Sequence, residues 1–248
     1  MIDFFSGTTA SAAEVSQFAA LADQWWDSAG DFAPLHKLNP VRLTFIRDHL
    51  CARFDRDPHA PDPLAGLSIC DIGCGGGLLC EPLTRLGATV TGLDAAERSI
   101  EVARLHAAKM GLEIDYRVQL PEDEAAAGRT YDVVLNMEVI EHVTDREAFM
   151  AATRALVRDG GIMFGATLNR TMKSLALAKI GAEYVMRWVP RGTHDWRMFV
   201  KPSEFSALLR ATDFTVREIK GVSYNPLFDD WRITDDIDVN YLIFAEKN

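Results

Sequence analysis

The chain has 248 residues, 48% hydrophobic and 25% charged, with 36 acidic side chains against 26 lysines and arginines and a formal net charge of −10. That length suits one large domain spanning residues 1–248, with the composition of a soluble globular protein. An acidic balance excludes a nucleic-acid partner, whose phosphates need a basic face.

The opening stretch, MIDFFSGTTASAAEVSQF, has no basic segment ahead of an apolar core. No run of about 18 apolar residues is present to span a bilayer. The expectation is a cytoplasmic protein. Residues 1–62 read as a helical N-terminal cover. Val15, Phe18, Leu21, Ala22 and Trp25 share one helical face. In NPVRLTFIRDHLCARF, Asn39 reads as an N-cap and Pro40 as the first helical residue. The turn-rich segment 55–63, DRDPHAPDP, then breaks the chain before the first strand.

From there strands and helices alternate. LSICDIG is a strand, and LLCEPLTRLG a helix closed by Gly87. TVTGLD is a strand, and AERSIEVARLHAAKMG a helix closed by Gly111. IDYRVQ, YDVVLNM and GIMFGAT follow as strands, with a helix from about Asp145 to Val157 between the last two. FTVREIKGVS and NYLIFAEK close the chain as strands. Repeated βα units predict an α/β fold: a Rossmann-like, seven-stranded, mostly parallel sheet with an antiparallel last strand. A lid is expected at about 169–200.

The four cysteines are Cys51, Cys70, Cys74 and Cys80. Their spacing does not suit paired zinc ligands, and Cys70 falls within a predicted buried strand. They read as small buried thiols in a reducing compartment.

The segment Asp71 to Gly77, DIGCGGG, joins the first strand to its helix, and Asp94 ends the next strand. Gly73 and Gly75 let backbone approach a ligand closely, and Asp94 sits where a carboxylate accepts hydrogen bonds from ribose hydroxyls. No glycine occupies the last position of a dinucleotide loop, where Leu78 or Leu79 falls. Asp71 would repel a pyrophosphate but suits a ligand carrying an ammonium and a sulfonium. The cofactor that fits is S-adenosylmethionine.

The DxGxGxG form resembles motif I of class I S-adenosylmethionine-dependent methyltransferases, and YDVVLNMEVIEHV resembles their motif at the end of the fourth strand. WWD, PLHKLNPVRL, TLNRT, GAEYVMRWVPRGTHDW and DVNYLIF extend the likeness to the ubiquinone-biosynthesis O-methyltransferase family. The resemblance runs from about Phe18 to the C-terminus. One local departure is Ile140, where the family has leucine, a volume-conserving exchange. The resemblance implies methylation of phenolic hydroxyls on polyprenylated rings, at both an early polyprenyl-hydroxyphenol step and the final demethylubiquinol step. It implies cofactor contacts from Arg42, Gly73, Asp94 and Met137, with Leu120 and Pro121 flanking the adenine by analogy of fold. Arg42 suits the methionine carboxylate, although a helix arginine can also be merely solvated. Other enzymes of the pathway are implied as partners. Two rival readings are a methyltransferase of a soluble small molecule and a non-catalytic, membrane-attached scaffold.

A phenol has a pKa near 10, so transfer at neutral pH needs a base or a cation. Glu138, Glu141 and His142 fall at helical spacing, and three roles stay open for them. They can bind Mg²⁺ or another divalent ion that acidifies a catechol. His142 can act as a metal-free general base, with Glu141 beside it. The carboxylates can also simply cap a helix beginning there. His194 and Asp195 form a neighbouring pair able to orient a hydroxyl. Lys173, Lys179, Arg187 and Arg191, set against Glu183 and accompanied by Tyr184 and Trp188, suit either peripheral contact with an anionic inner membrane face or a plain lid over the substrate.

Overall fold

The computed structural model describes residues 9–176, 196–225 and 227–248. Lys179, Glu183, Tyr184, Arg187, Trp188, Arg191, His194 and Asp195 lie outside the described residues.

The N-terminal cover consists of α1 (Ala12–Leu21), a 3₁₀ turn at Ala22–Gln24 and the long helix α2 (Ala33–Arg53). Here the structure corrects the predicted boundary. α2 starts at Ala33 with Pro34 in its first turn, and Pro40 lies inside the helix rather than at its start. An interior proline removes one backbone hydrogen bond at a cost of about 3 kcal/mol. Against that cost, α2 buries Leu38 before Pro40 and Phe45, Ile46 and Leu50 after it. Each such side chain contributes roughly 1.5–3 kcal/mol, so the apolar stripe outweighs the break.

The rest of the chain winds β1 (Ser68–Ile72), α3 (Cys80–Arg85), β2 (Thr89–Asp94), α4 (Glu97–Met110), β3 (Asp115–Val118), α5 (Pro121–Ala126) and β4 (Tyr131–Met137). It continues through α6 (Arg146–Leu156), β5 (Val157–Leu168), a single turn α7 (Met172–Ser174), α8 (Pro202–Ala211), β6 (Phe214–Asn225), β7 (Asp230–Thr234) and β8 (Asn240–Lys247). Gly111, at a φ of 67°, closes α4 in the left-handed conformation. The Asp145 side chain caps α6 by accepting from the Ala148 N–H.

The strands form one sheet in the order β3-β2-β1-β4-β5-β8-β6-β7. Pairing is parallel from β3 to β5 and antiparallel from β5 through β8 and β6 to β7. The mostly parallel Rossmann-like sheet matches expectation, but among the described residues it has eight strands rather than seven. The extra strand is β7, which folds back on β6 with Trp231 opposite Tyr224. Its sequence, DWRIT, does alternate, with Trp231 and Ile233 on one face, but the run is only five residues long, carries two charges and is half exposed, too weak a signal to mark a strand.

Side chains alternate across the sheet and split the core in two. Ile69, Val133, Leu135 and Phe164 pack against α2, α3 and α4. Cys70, Val134, Met163 and Ile243 pack against α6 and α8 on the opposite face. The carboxyl ends of β1, β2 and β4 are left open beneath the N-terminal cover, where an α/β sheet presents its binding crevice.

Candidate active site

A cavity of about 750 Å³ lies at those strand ends. Arg42, Asp71, Gly73, Gly75, Asp94, Leu120 and Met137 all line it, as do Glu138, Glu141 and His142. Residues from five separate stretches of chain therefore share one space.

The glycine loop leaves β1 at Ile72 with Gly73 and Gly75 at φ of 68° and 53°. This is backbone that side chains other than glycine's rarely adopt. A Cβ at Gly73 would stand 2.5 Å from Val139 Cγ2, and one at Gly75 2.4 Å from Trp25 Cζ2. Asp94 braces the same loop: Oδ2 accepts from the Gly75 N–H at 2.9 Å and Oδ1 from the Ala96 N–H at 2.7 Å. Burial raises the Asp94 carboxyl above its usual range, opposed by these N–H groups. Asp71 is driven further, up to about 7, chiefly by burial. A hydrogen bond from Cys80 Sγ at 3.3 Å opposes that shift, and the neighbouring Asp94 adds to it. Leu120 ends the connection after β3 and precedes α5, and Met137 is the last residue of β4.

The loop after β4 departs from expectation. Glu138 turns the chain out of the strand at a φ of 57°, residues 140–142 form a turn, Val143 makes a single bridge, and α6 begins only at Arg146. Glu138, Glu141 and His142 thus do not share a helical face, and neither carboxylate caps a helix. Glu138 forms an ion pair with Arg42, a residue only 4% exposed whose Nε has no partner among the described residues. His142 meets Glu14 of α1, with Nδ1 3.1 Å from Oε2. Glu141 is buried, and its Oε2 has no partner among the described residues. Burial, and after it the charge of Glu138, pushes Glu141 up to about 8. Burial draws the His142 imidazole down, but Glu14 and Glu141 outweigh it and hold the ring above its ordinary value. The expected metal set is not drawn together: among the described residues no three His, Cys, Asp or Glu side chains are grouped as ligands would be.

The sequence reading assigned no role to several residues that build the site. Trp25 covers the glycine loop, stacks on Phe32 with centroids 3.8 Å apart and donates Nε1–H to Ser99 Oγ at 3.3 Å. Trp26 donates to the Gly76 carbonyl at 2.9 Å and stacks on His106. Glu14 and Phe18 close the space over His142, while Tyr224 and Trp231 of the β6–β7 hairpin line its far side. The adjacent tryptophans were the available signal, since two large aromatics beside an exposed acidic stretch need a surface to cover.

The chain matches the family described as Methyltransferase domain over residues 43–219. It is 55% identical over 240 residues to the ubiquinone biosynthesis O-methyltransferase of Brucella ovis, covering 97% of each chain. It is 57% identical over 240 residues to the protein of that name from Mesorhizobium japonicum, covering 97% of this chain and 96% of that one. The fold resembles magnesium protoporphyrin IX methyltransferase from Synechocystis with bound SAH, at a TM-score of 0.63 and 19% identity over 95% of this chain and 100% of that one. The plantazolicin methyltransferase in complex with SAH gives a TM-score of 0.64 at 18% identity over 95% and 98% of the two chains.

Proposed function

The chain belongs to the ubiquinone biosynthesis O-methyltransferase family, and from that premise we propose that it moves a methyl group from S-adenosylmethionine to a phenolic hydroxyl of a polyprenylated phenol or catechol. The reading includes both the early polyprenyl-hydroxyphenol step and the final demethylubiquinol step, within one domain over residues 1–248. The observation that carries it is the single cavity joining the glycine loop and Asp94 to Glu138, Glu141 and His142. Incubation with labelled S-adenosylmethionine and a short-chain polyprenyl catechol tests it. Label in the extracted quinol supports the reading, and none with any phenol removes it.

The residues present suit the cofactor. The glycine loop offers a cradle that a Cβ would fill, and Asp71 is a buried carboxyl that gains from a cation. When bound, S-adenosylmethionine supplies an electrophilic methyl on a sulfonium. Asp94 accepts from the ribose hydroxyls, Asp71 meets the ammonium, and Arg42 holds the methionine carboxylate through its bidentate cation. Leu120 flanks the adenine, and Met137 sits beside the reacting end. His142 would take the phenol proton and so ready the oxygen to accept the methyl group that the bound cofactor would supply. The site must hold oxygen and carbon about 3 Å apart in line.

Glu138, Glu141 and His142 are donors of the kind a divalent ion takes but are not grouped as ligands among the described residues, where Glu141 Oε2 has no partner. Glu138 would have to leave Arg42 to join an ion there. Such an ion would supply Lewis acidity to the phenol oxygen.

Asp71 makes a measurable prediction. At about 7 its carboxyl is near half-protonated at neutral pH. An ammonium beside it favours the carboxylate and lowers that value, so binding at neutral pH releases up to about half a proton per site. Affinity then rises with pH up to about 7 and levels off above it, where Asp71 is ionised in both states. Calorimetric titration in buffers of different ionisation enthalpy measures the release, and Asp71→Asn should abolish it. Equal proton release by parent and variant would take Asp71 off the ammonium.

Membrane contact belongs to the same reading, with the protein cytoplasmic and visiting the inner membrane face, alone or beside other enzymes of its pathway. Among the described residues no helix is long and apolar enough to cross a membrane. Lys173, the described cation of the basic segment, is already engaged by Asp236. Support comes instead from the β6–β7 hairpin, whose tip holds Leu227 and Phe228 at 87% and 69% exposure. The double variant Leu227→Asp, Phe228→Asp should lower liposome affinity by roughly tenfold per side chain while sparing turnover of a short-chain substrate. Unchanged co-sedimentation with anionic vesicles would clear the hairpin of this role.

A further inference from the structure

Helix α1 presents a puzzle of placement. None of its residues is fully buried, and Leu21 at its C-terminal end packs against the cluster of Ala22, Trp25, Phe32 and Leu78, which leaves the placement of the N-terminal turns to be explained. What ties them there is the loop that carries His142. Ala10 bridges to Val143, and Thr144 donates its N–H to the Thr9 carbonyl at 2.8 Å. One turn into the helix, Glu14 Oε2 stands 3.1 Å from His142 Nδ1. Another turn on, Phe18 meets the imidazole edge-on, with ring centroids 5.4 Å apart. The imidazole is therefore gripped from the N-terminal segment, by a carboxylate on one nitrogen and an aromatic edge beside it.

A neutral imidazole carries one proton, and in water it favours Nε2–H. A carboxylate at Nδ1 reverses that choice, because only an Nδ1–H can donate to it. We propose that Glu14 is a positioning residue for methyl transfer: it accepts the Nδ1–H of His142 and so leaves Nε2 as the lone-pair nitrogen that faces the phenol. The buried aspartate of a Ser-His-Asp triad uses the same logic on a different fold. If His142 binds a divalent ion instead, the same grip leaves Nε2 as the ligand atom. A pair that merely anchors α1 would set the same tautomer but would leave kcat unmoved, so the kinetic readout separates the two roles.

The kinetic consequence rests on the methyltransferase reading; the tautomer does not. Long-range ¹H–¹⁵N spectra of histidine-labelled protein, taken where the ring is neutral, should show His142 as Nδ1–H. Glu14→Ala should turn it to Nε2–H. Glu14→Gln should keep Nδ1–H, because the amide oxygen can still accept, and so serves as a folded control. In assays, Glu14→Ala should lower kcat by about tenfold or more with the KM for S-adenosylmethionine unchanged, and Glu14→Gln should recover most of it. His142 as Nε2–H in the parent, or an unaltered tautomer in Glu14→Ala, would overturn the proposal. A parent without activity on any phenol would sink the functional reading, while the spectra would still decide whether Glu14 sets the tautomer.

Discussion

Replacing His142 with alanine is expected to slow methyl transfer by about 10²–10⁴-fold, the usual contribution of a positioned acid–base group, while leaving S-adenosylmethionine bound. A free phenol near pKa 10 is ionised to about one part in a thousand at neutral pH, and without a base only that fraction reacts. The lost rate should therefore return as pH climbs toward the phenol's own pKa. In the parent, Glu14 and Glu141 hold His142 above its ordinary value, so the ring becomes available as a base only as pH rises through that raised value. The parent rate should rise along that limb, and the limb should vanish in His142→Ala. Chelation separates the two chemistries open to this loop. If an ion is needed, exhaustive chelation stops transfer by the parent and added Mg²⁺ restores it. Full activity with no metal by elemental analysis leaves the base alone. A His142→Ala enzyme within a few-fold of the parent would dismiss both.

Gly75→Val should weaken cofactor binding by about 100-fold or more. Two costs add. A branched residue at a φ of 53° meets a penalty of about 1–2 kcal/mol. Its Cβ would also stand 2.4 Å from the Trp25 ring, which must move. That ring cannot yield cheaply, being stacked on Phe32 and donating to Ser99. Displacing a buried aromatic costs on the order of 3 kcal/mol in stability with or without ligand, so the affinity falls because the valine fills the cradle and distorts the loop that would meet the cofactor. If the backbone shifts instead, the Gly75 N–H leaves Asp94 and loosens the group meant for the ribose. Titration calorimetry measures the affinity, and a circular dichroism melt shows whether the variant still folds. Binding within a few-fold of the parent would mean that the ligand does not approach this loop.

Legibility in the sequence followed locality. The glycine loop and Asp94 are close in the chain, joined by a strand, a turn and a helix whose signals are all short-range. Most strands declared themselves as apolar runs stopped by glycine or aspartate. β7 did not, although Trp231 and Ile233 alternate, because DWRIT is short and charged and is completed by its pairing with β6. Pro40 misled for the opposite reason: a strong local breaker was overruled by the buried stripe of α2, which only tertiary packing reveals. The loop after β4 was not legible in shape. Its spacing fits a helix, but the left-handed turn at Glu138 spends those residues outside one. Glu14 was beyond reach, since its partner His142 lies far along the chain and no periodicity links the two.

The thiols around the glycine loop bear on how the protein survives its own reagent. A sulfonium methyl is an alkylating agent, and sulfur is the softest nucleophile a protein offers it. Cys74 lines the cavity, and Cys80 touches Asp71 at its floor. Only the thiolate would react, and burial forbids it: Cys80 is pushed up to about 11, leaving about one molecule in 10⁴ ionised at neutral pH. Cys74 is raised well above its ordinary value for the same reason. Sulfur can thus stand beside an electrophile unharmed, and a lysine or arginine introduced next to either cysteine would undo that immunity, with the protein labelling itself.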